Sequence, residues 1–258
     1  MSDMTIKKII NIALETGKIM LQNGAETYRV EETIEKMISS RIDSHVEVFV
    51  MSTGIIISVE SEDTPFTTVS RIASSGIDME YIARANSFSR VFTEGRMSLE
   101  EANIMLKQLK SPPRFPKKVR FFFSGMAGGF VVLLFNGSFI EFILAYIASS
   151  FTVFFTDKLS KMGFNFFIKN IIGGFIAGGL GILLVLFMGS FNQYADYNKV
   201  ILGPLMTLVP GVALTNGIRD LISGELIAGS AKMMEALFIA IALAFGVGIV
   251  LQIVLSLS

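Results

Sequence analysis

Charge is distributed unevenly along this chain, and the imbalance restricts what the chain can fold into. Of its 22 basic and 22 acidic residues, 16 of each lie in residues 1–120 and only six of each in residues 121–258. With 52% hydrophobic residues and a mean hydropathy of +0.60, the chain is too apolar for an ordinary soluble protein. The sequence therefore predicts a first half that folds in water and a second half that folds in a membrane.

The second half contains five apolar segments, each close to the roughly 20 residues that cross a bilayer. These predicted spans lie at about 119–136, 139–156, 165–189, 200–218 and 232–256. Lys117, Lys118 and Arg120 precede the first span. By the positive-inside rule they are cytoplasmic, as are the loop after the second span and residues 219–232. We expect a multi-pass, all-α transmembrane domain with a cytoplasmic N-terminus and an external C-terminus.

Residues 1–110 predict a cytoplasmic α+β domain with the element order ααβββαα. Apolar residues recur at helical spacing in 4–22 and 25–40, and alternate with polar ones in 45–60 and again in 67–72. Gly76 and Asp78 precede a third predicted helix that runs to Phe92, and Ser98 with Glu101 forms a capping-box pattern before a fourth. A proline-rich and basic linker, residues 111–118, separates this domain from the transmembrane domain, residues 119–258.

Several classes of chemistry find no support in the sequence. The chain has no cysteine, so it offers neither disulfides nor thiolate chemistry. Its net charge is zero, which argues against nucleic acid as a partner. The lone histidine, His45, has no pattern of catalytic partners around it, so we expect it to be structural. We predict no catalytic residue, no metal site and no cofactor, and hence a protein that is not an enzyme.

The segment from Leu205 to Glu235 is the most informative stretch of the second half, because Pro210-Gly211 interrupts its apolar run. Proline removes a backbone donor and opens the helix near Met206 and Thr207. Within a bilayer such breaks occur where they are buried in protein or line a wet cavity. A helix that restarts after Gly211 also presents free N–H groups that suit an anion.

Polar side chains follow this break on two neighbouring stripes of the predicted helix. Asn216 and Asp220 are four residues apart, as are Thr215 and Arg219. These four groups are candidates for a site that binds a small zwitterion or carboxylate, with Arg219 as the carboxylate partner. The alternative is that Pro210-Gly211 is a simple kink and that Arg219 and Asp220 only mark the cytoplasmic end of a span.

The same residues resemble the signature of the threonine/serine exporter family: P-G-V-A-L-T-N-G-I-R-D-L, with a trailing G-x(4)-G and K-x-x-E-A. In the first half, N-G-A-E-T-Y-R-V-E, Phe49–Ser58 and E-G-R-M-S-L-E-E-A resemble the cytoplasmic domain of that family. The resemblance covers nearly the whole chain. It singles out a motif in the cytoplasmic domain, Asn23, Gly24, Glu26, Arg29 and Glu31, and transport candidates at Pro210, Gly211, Thr215, Asn216, Arg219, Asp220 and Glu235.

The resemblance implies a subunit of a secondary exporter of threonine and serine, or of related small carboxylates such as succinate, in the inner membrane. Export would be proton-driven antiport with alternating access. Glu141, an acid near the start of the second span, is the candidate for proton coupling. Some members of the family carry two membrane halves in one chain, so the second half here would be a smaller membrane subunit or another copy of this chain.

Two other classes compete with this interpretation. One is a membrane-anchored hydrolase with its chemistry in the first half, and the other is a sensor domain that regulates a channel.

Small residues recur every fourth position in the second half, at Gly125 and Gly129, at Gly174 and Gly178, and from Ala236 to Gly248. That pattern predicts closely packed helices, either static or at a moving interface.

Overall fold

The computed structural model describes residues 3–60, 65–72, 76–110, 115–191 and 194–257. It is mostly helical and contains one small sheet. The first part of the chain forms four helices and three strands in the predicted order ααβββαα: α1 (Asp3–Gln22), α2 (Thr27–Ser39), β1 (Val46–Met51), β2 (Gly54–Val59), β3 (Phe66–Arg71), α3 (Met79–Thr93) and α4 (Leu99–Leu109).

The later part of the chain is helical throughout its described residues. Its elements are α5 (Lys117–Leu134), α6 (Phe139–Lys161), α7 (Phe166–Gly189), α8 (Tyr197–Leu208), α9 (Gly211–Ile222) and α10 (Leu226–Leu257). The predicted span at 200–218 is therefore two helices, interrupted at Val209 and Pro210 as the proline predicts. A second proline, Pro204, lies inside α8, and its carbonyl accepts a hydrogen bond from the Thr207 hydroxyl.

The contacts of the chain divide it into two compact units. Unit 1 comprises Met1–Pro113 together with Gly211–Met234, and unit 2 comprises Arg114–Pro210 together with Glu235–Ser258. This division differs from the predicted domains, which placed residues 211–234 entirely with the membrane spans. Helix α9 and the first turns of α10 pack with the N-terminal elements instead, because their polar side chains form hydrogen bonds with the chain between α1 and α2 and with the start of α2.

The core of unit 1 lies between its helices and one face of the sheet. Strand order is β1-β2-β3, all antiparallel, with Val46 opposite Val59 and Val59 opposite Phe66. Alternate residues of β1 and β2 are buried, as the period of two predicts. The largest fully buried side chains come from the helices, β1 and β2, among them Phe88, Phe92, Ile10, Ile12, Met20, Ile34, Val50 and Ile55.

Helix starts in unit 1 follow the predicted capping chemistry. Asp78 caps α3 by accepting a hydrogen bond from the backbone N–H of Glu80. Ser98 and Glu101 form the reciprocal capping box at α4. Helix α2 differs, because Glu26 occupies its N-cap position but makes no side-chain cap hydrogen bond. The free N–H groups at the start of α2 therefore need a partner from elsewhere in the chain.

Unit 2 is a bundle in which glycines allow close helix crossings, as the small-residue pattern predicts. A Cβ on Gly203 of α8 would lie 2.8 Å from the carbonyl oxygen of Gly128 on α5. A Cβ on Gly174 of α7 would clash with the carbonyl of Leu243 on α10. Gly248 does not fit the pattern, since nothing lies within 4 Å of its added Cβ.

Three described helices, α6, α7 and α10, are long and apolar enough to cross a membrane, and the broken pair α8 and α9 raises the total to four if it counts as one span. Five spans were predicted. The difference is α5, whose 18 residues include Lys117, Lys118 and Arg120 in the first turn. The predicted linker residues 111–114, the turn residues Asp63 and Thr64, and Ser258 lie outside the described residues.

Candidate functional site

The turn between α1 and α2, residues 23–26, is held in a conformation that requires its glycine. Gly24 has φ +90°, a region that other residues rarely adopt. Asn23 closes the end of α1 by donating from Nδ2 to the carbonyl of Ile19 at 2.7 Å. Backbone N–H groups of Gly76 and Asp78 donate to the carbonyls of Gln22 and Asn23 at 2.8 and 3.1 Å, which ties the turn to the start of α3.

Helix α9 presents two faces of the kind predicted from spacing. Asn216 and Asp220 are buried, whereas Thr215 and Arg219 on the adjacent stripe are exposed. Helix α9 ends at Ile222, Gly224 beyond it has φ +93°, and α10 then packs back against α9. The crossing is close because both partners are glycines: a Cβ on Gly229 would lie 2.8 Å from the carbonyl oxygen of Gly217.

The buried face of α9 binds the backbone of the α1–α2 turn. Asn216 donates from Nδ2 to the carbonyl oxygen of Gly24 at 2.6 Å. Asp220 accepts a hydrogen bond at Oδ1 from the backbone N–H of Thr27 at 3.1 Å. Asp220 therefore supplies the cap that Glu26 does not, and its negative charge lies at the positive end of the α2 dipole.

Lys232 from the second turn of α10 completes this contact. Its Nζ donates to Asp220 Oδ2 at 2.8 Å and to the carbonyl of Ala25 at 3.2 Å. The side chain of Asp220 is fully buried and that of Lys232 is only 12% exposed. Burying two charges is costly unless they are paired and hydrogen-bonded, and both conditions hold here. We call Asn216, Arg219, Asp220 and Lys232 the turn-binding cluster.

Arg219 takes its partner from the turn itself. Its Nη1 lies 2.8 Å from Glu26 Oε1, while Arg29 approaches Glu26 Oε2 at 3.5 Å. Burial alone would raise the pKa of Glu26, but a backbone N–H together with Arg219 and Arg29 holds that pKa below its ordinary value. The Glu26 carboxylate is thus kept charged between two guanidinium groups.

Glu31, one turn further along α2, is in a different electrostatic environment. Its carboxylate accepts a hydrogen bond from the backbone N–H of Val50 at 2.7 Å, which fixes α2 against β1. Burial raises the pKa of Glu31, and the nearby acids Glu225, Glu35 and Asp220 raise it further against the effect of the Val50 hydrogen bond. The pKa of Glu26 is therefore lowered and that of Glu31 is raised, although both residues lie near the start of α2.

The structure brings together several of the sequence-predicted residues, but not as a vacant pocket. Asn216 contacts Gly24, Arg219 contacts Glu26, and Asp220 contacts the backbone of Thr27 directly after the same turn. Asp220 was expected to line a site for a small zwitterion or carboxylate. Instead it pairs with Lys232, because a fully buried carboxylate needs a cation. Arg219 was expected to present its guanidinium to a substrate carboxylate, and in the structure Glu26 supplies that carboxylate.

Other predicted residues lie apart from this cluster. The Thr215 hydroxyl donates to the carbonyls of Gly211 and Val212 on its own helix. Pro210 and Gly211 lie at the break before α9, and Glu235 is exposed on α10. Sequence analysis missed Lys232 and the backbone of Ala25 and Thr27. The available signal for Lys232 was a lone basic residue at the start of a very apolar helix.

Glu141 forms the cap of α6. Its Oε2 accepts from the backbone N–H of Ser138 at 2.6 Å, the Ser138 hydroxyl accepts from the backbone N–H of Glu141, and Oε1 accepts from the backbone N–H of Asp196 at 2.8 Å. Lys199 Nζ lies 3.9 Å away. Each carboxylate oxygen thus has a backbone donor. This arrangement favours a structural role for Glu141, while its proposed part in proton coupling stays a prediction.

A second polar set, which the sequence analysis did not single out, lies buried in unit 2. Four hydroxyl residues of α6 are buried: Ser149, Ser150, Thr152 and Thr156. Ser150 donates to the carbonyl of Phe121, and Thr156 donates to that of Thr152. Among the described residues the hydroxyls of Ser149 and Thr152 have no hydrogen-bond partner. The sequence signal was S-S-x-T-x-x-x-T inside an otherwise apolar span.

The charged residues show no arrangement typical of a metal centre. Within the described ranges, no group of three or more His, Asp or Glu side chains is close enough to hold an ion. The polar groups described above are instead satisfied by one another and by backbone, apart from the hydroxyls of Ser149 and Thr152 on α6 and of Thr27 at the start of α2. The arrangement can therefore hold helices together, and it can respond to anything that competes for Arg219, Asp220 or Lys232.

Comparison with known proteins gives a consistent result. The ThrE family model, which describes threonine/serine exporters, matches residues 11–254. The "Probable threonine/serine exporter" of Mycobacterium tuberculosis is 22% identical over 97% of this chain and 47% of its own length. The "Threonine/serine exporter" of Corynebacterium glutamicum is 22% identical over 95% of this chain and 51% of its own length.

A third relative has nearly the same length as this chain. The "Probable succinate transporter subunit YjjP" of Klebsiella aerogenes is 20% identical over 93% of this chain and 92% of its own length. The chain thus spans about half the length of the first two relatives and nearly all of the third. No solved structure matches the chain. The apolar helices of the chain indicate a location in the membrane. Because the family model covers most of the sequence, the chain belongs to the threonine/serine exporter family.

Proposed function

We propose that this chain is one subunit of a secondary transporter that exports small amino acids, with threonine and serine as the first candidate substrates. Family membership and the names of the two longer relatives support that choice. Succinate is the second candidate, because the relative of matching length is named a succinate transporter subunit. Export against a gradient requires an energy source, and the proton gradient is the one that we propose.

The observation that carries the proposal is the interruption of an apolar helix at Val209 and Pro210. Helix α8 ends at Leu208 and α9 starts at Gly211, so backbone groups on both sides lose their helical partners. In a bilayer such groups require protein or water around them. Broken helices of this kind form the substrate and ion sites of many secondary transporters, which supports alternating access as the mechanism.

We further propose that the chain works with a second membrane component. The two longer relatives have about twice its length, and the relative named a subunit has about the same length. A smaller membrane subunit is the first candidate for this component, and a second copy of this chain is the alternative. Co-purification from the source cells separates the two cases, since only the first yields a second polypeptide that is required for activity.

The proposed topology is multi-pass with a cytoplasmic N-terminus and an external C-terminus. The positive-inside rule supports it through Lys117, Lys118 and Arg120, and through Lys158 and Lys161 in the last turn of α6. A reporter fused to the C-terminus should behave as external, and one inserted between Asp157 and Lys161 as cytoplasmic. A cytoplasmic C-terminus would contradict the five-span arrangement and leave an even number of crossings.

The hydroxyl face of α6 is our candidate for contact with the transported molecule. Ser149 and Thr152 have buried hydroxyls without partners in the described parts of the chain, and such groups are costly unless something binds them at some stage of the cycle. A Cβ on Gly128 would clash with the Ser149 hydroxyl, so α5 covers this face in the present conformation. Exposure of the face would require α5 and α6 to separate.

The turn-binding cluster is proposed to transmit the state of the N-terminal domain to α9. Arg219 contacts Glu26 rather than a vacant pocket, and Asp220 holds both Thr27 and Lys232. Any movement of α9 must therefore carry the α1–α2 turn with it or break these bonds. The competing hypothesis, in which Arg219 binds substrate directly, makes Glu26 dispensable.

A double-mutant experiment distinguishes these roles. Efflux of labelled threonine, serine and succinate is measured from vesicles that contain wild type, Glu26→Gln, Arg219→Lys or both changes. If Arg219 acts through Glu26, the two single variants have similar defects and the double variant is no worse. If Arg219 binds substrate, Glu26→Gln transports normally while Arg219→Lys does not. Vesicles that contain the wild-type chain together with its second membrane component and transport none of the three compounds would refute the proposed function.

A further inference from the structure

A polar groove in unit 1 is not explained by the fold or by the proposed transport path. It lies between α2 and α3 and has a volume of about 300 Å³. Its walls carry Arg29, Glu32, Thr33 and Lys36 from α2, with Asn86 and Arg90 among those from α3. The space is large enough for a molecule of amino-acid or dicarboxylate size. It lies on the N-terminal domain, well away in sequence from the apolar helices.

The charges around the groove leave one cation unbalanced. Lys36 forms a short ion pair with Glu32, and Arg29 reaches Glu26. Arg90 has no ion-pair partner within the described ranges. The groove therefore presents an unpaired guanidinium, which binds planar anions in a two-pronged geometry. A small carboxylate is the ligand that this charge and shape favour.

Of the neutral groups in the groove, the side-chain amide of Asn86 is the one that supports the same ligand class. The hydroxyl of Thr33 donates to the carbonyl of Arg29 at 2.7 Å, and that of Ser89 to the carbonyl of Asn86 at 2.9 Å. These two hydroxyls thus have their protons committed to backbone. The side-chain amide of Asn86 makes no hydrogen bond to any described residue, so its N–H groups are available beside Arg90 as donors for a carboxylate oxygen.

Arg29 connects this groove to the turn-binding cluster. It lines the groove and also approaches Glu26 at 3.5 Å, a longer contact than the 2.8 Å between Arg219 and Glu26. A carboxylate in the groove would compete with Glu26 for Arg29. Glu26 would then remain paired with Arg219 alone. Occupancy of the groove is therefore linked to the residue that joins the turn to α9.

We propose that the α2–α3 groove is a binding site for a small carboxylate, held by Arg90, Asn86 and Arg29, whose occupancy weakens the Arg29–Glu26 contact. The site is separate from the proposed transport path on α6, and the inference does not depend on which compound is exported. It gives the N-terminal domain a role as the ligand-sensing part of the protein.

Equilibrium dialysis of the full-length protein in lipid nanodiscs tests the site, with labelled threonine and succinate as carboxylate probes and inorganic phosphate as the comparison anion. Arg90→Gln should weaken binding of at least one carboxylate by about tenfold or more, as expected for the loss of a charge-assisted hydrogen bond. Arg84→Gln is the matched control, because Arg84 lies on the same helix but pairs with Glu80. It should bind within about twofold of wild type.

The link through Arg29 is tested by Glu26→Gln, which frees Arg29 from competition. Carboxylate affinity should rise several-fold in this variant, whereas a general loss of structure would lower it. The proposal is overturned if no carboxylate binding is sensitive to Arg90, if phosphate alone binds, or if Glu26→Gln leaves affinity unchanged or reduced. Because the readout is binding and not efflux, failure here leaves the proposed transport function standing, and failure of efflux leaves the groove untouched.

Discussion

Asp220 caps helix α2 from a position 193 residues away, since its Oδ1 accepts the backbone N–H of Thr27 at 3.1 Å. The other oxygen of the same carboxylate binds Lys232 at 2.8 Å. One buried acid thus serves as a helix cap and as the anion of an ion pair. This relationship explains why residues 211–234 belong to the same compact unit as the N-terminal elements.

The first prediction follows from this double use. Asp220→Asn keeps an oxygen for Thr27 but leaves Lys232 buried without its anion, which should lower the free energy of unfolding by about 3 kcal/mol. Denaturant titration of the purified protein in detergent measures the change. Asp157→Asn is the control: it removes an exposed pair with Arg120 and should cost about 0.5 kcal/mol or less. An Asp220→Asn protein as stable as wild type would contradict the assigned pairing.

The second prediction concerns how stability depends on pH, because the pKa values of Glu26 and Glu31 are shifted in opposite directions. Glu26 has a depressed pKa, so its stabilisation is present above the ordinary value of 4.5 and is lost as the pH falls through its folded pKa. Glu31 has a raised pKa, so its contribution is present below 4.5 and is lost as the pH rises through its folded pKa.

Unfolding midpoints measured from about pH 3 to about pH 7 separate the two effects. Glu26→Gln should reduce the loss of stability on acidification. Glu31→Gln should instead reduce the loss on going toward neutral pH, since a glutamine oxygen still accepts the Val50 N–H without carrying a buried charge. The same pH dependence in both variants would mean that these two carboxylates are not in the environments described.

Sequence reasoning succeeded where the signal is local. The α+β order, the capping box at Ser98, the break at Pro210 and the two faces of α9 each follow from spacing within a few residues. It did not find the partners of those faces. Periodicity shows that Asn216 and Asp220 share a stripe, but the turn that they bind lies about 190 residues earlier. Lys232 was missed for the same reason, because a single cation in an apolar helix does not indicate which acid it pairs with.

The third prediction tests the crossing of α9 and α10. Gly229→Ala places a methyl group 2.8 Å from the carbonyl oxygen of Gly217, and such overpacking usually costs about 1–3 kcal/mol. The turn-binding cluster should loosen as well, since Lys232 follows Gly229 by one turn. Gly248→Ala on the same helix meets no atom within 4 Å and should not destabilise the protein. Helix propensity favours alanine over glycine at both positions, so a comparable change of stability in the two variants would contradict the assigned close contact.

The fourth prediction separates function from stability on α6. The Ser149 hydroxyl is buried and has no partner among the described residues, so its removal leaves no other group unsatisfied. Ser149→Ala should therefore leave the free energy of unfolding unchanged within about 0.5 kcal/mol, or raise it slightly. Efflux should nevertheless fall, because the transported molecule or its water loses a hydrogen-bonding group.

Ser150→Ala provides the contrast, since the Ser150 hydroxyl donates to the carbonyl of Phe121 at 3.1 Å. That change should lower stability by about 1 kcal/mol through the lost bond between α5 and α6. Normal efflux by Ser149→Ala and Thr152→Ala together would exclude this face of α6 from the path.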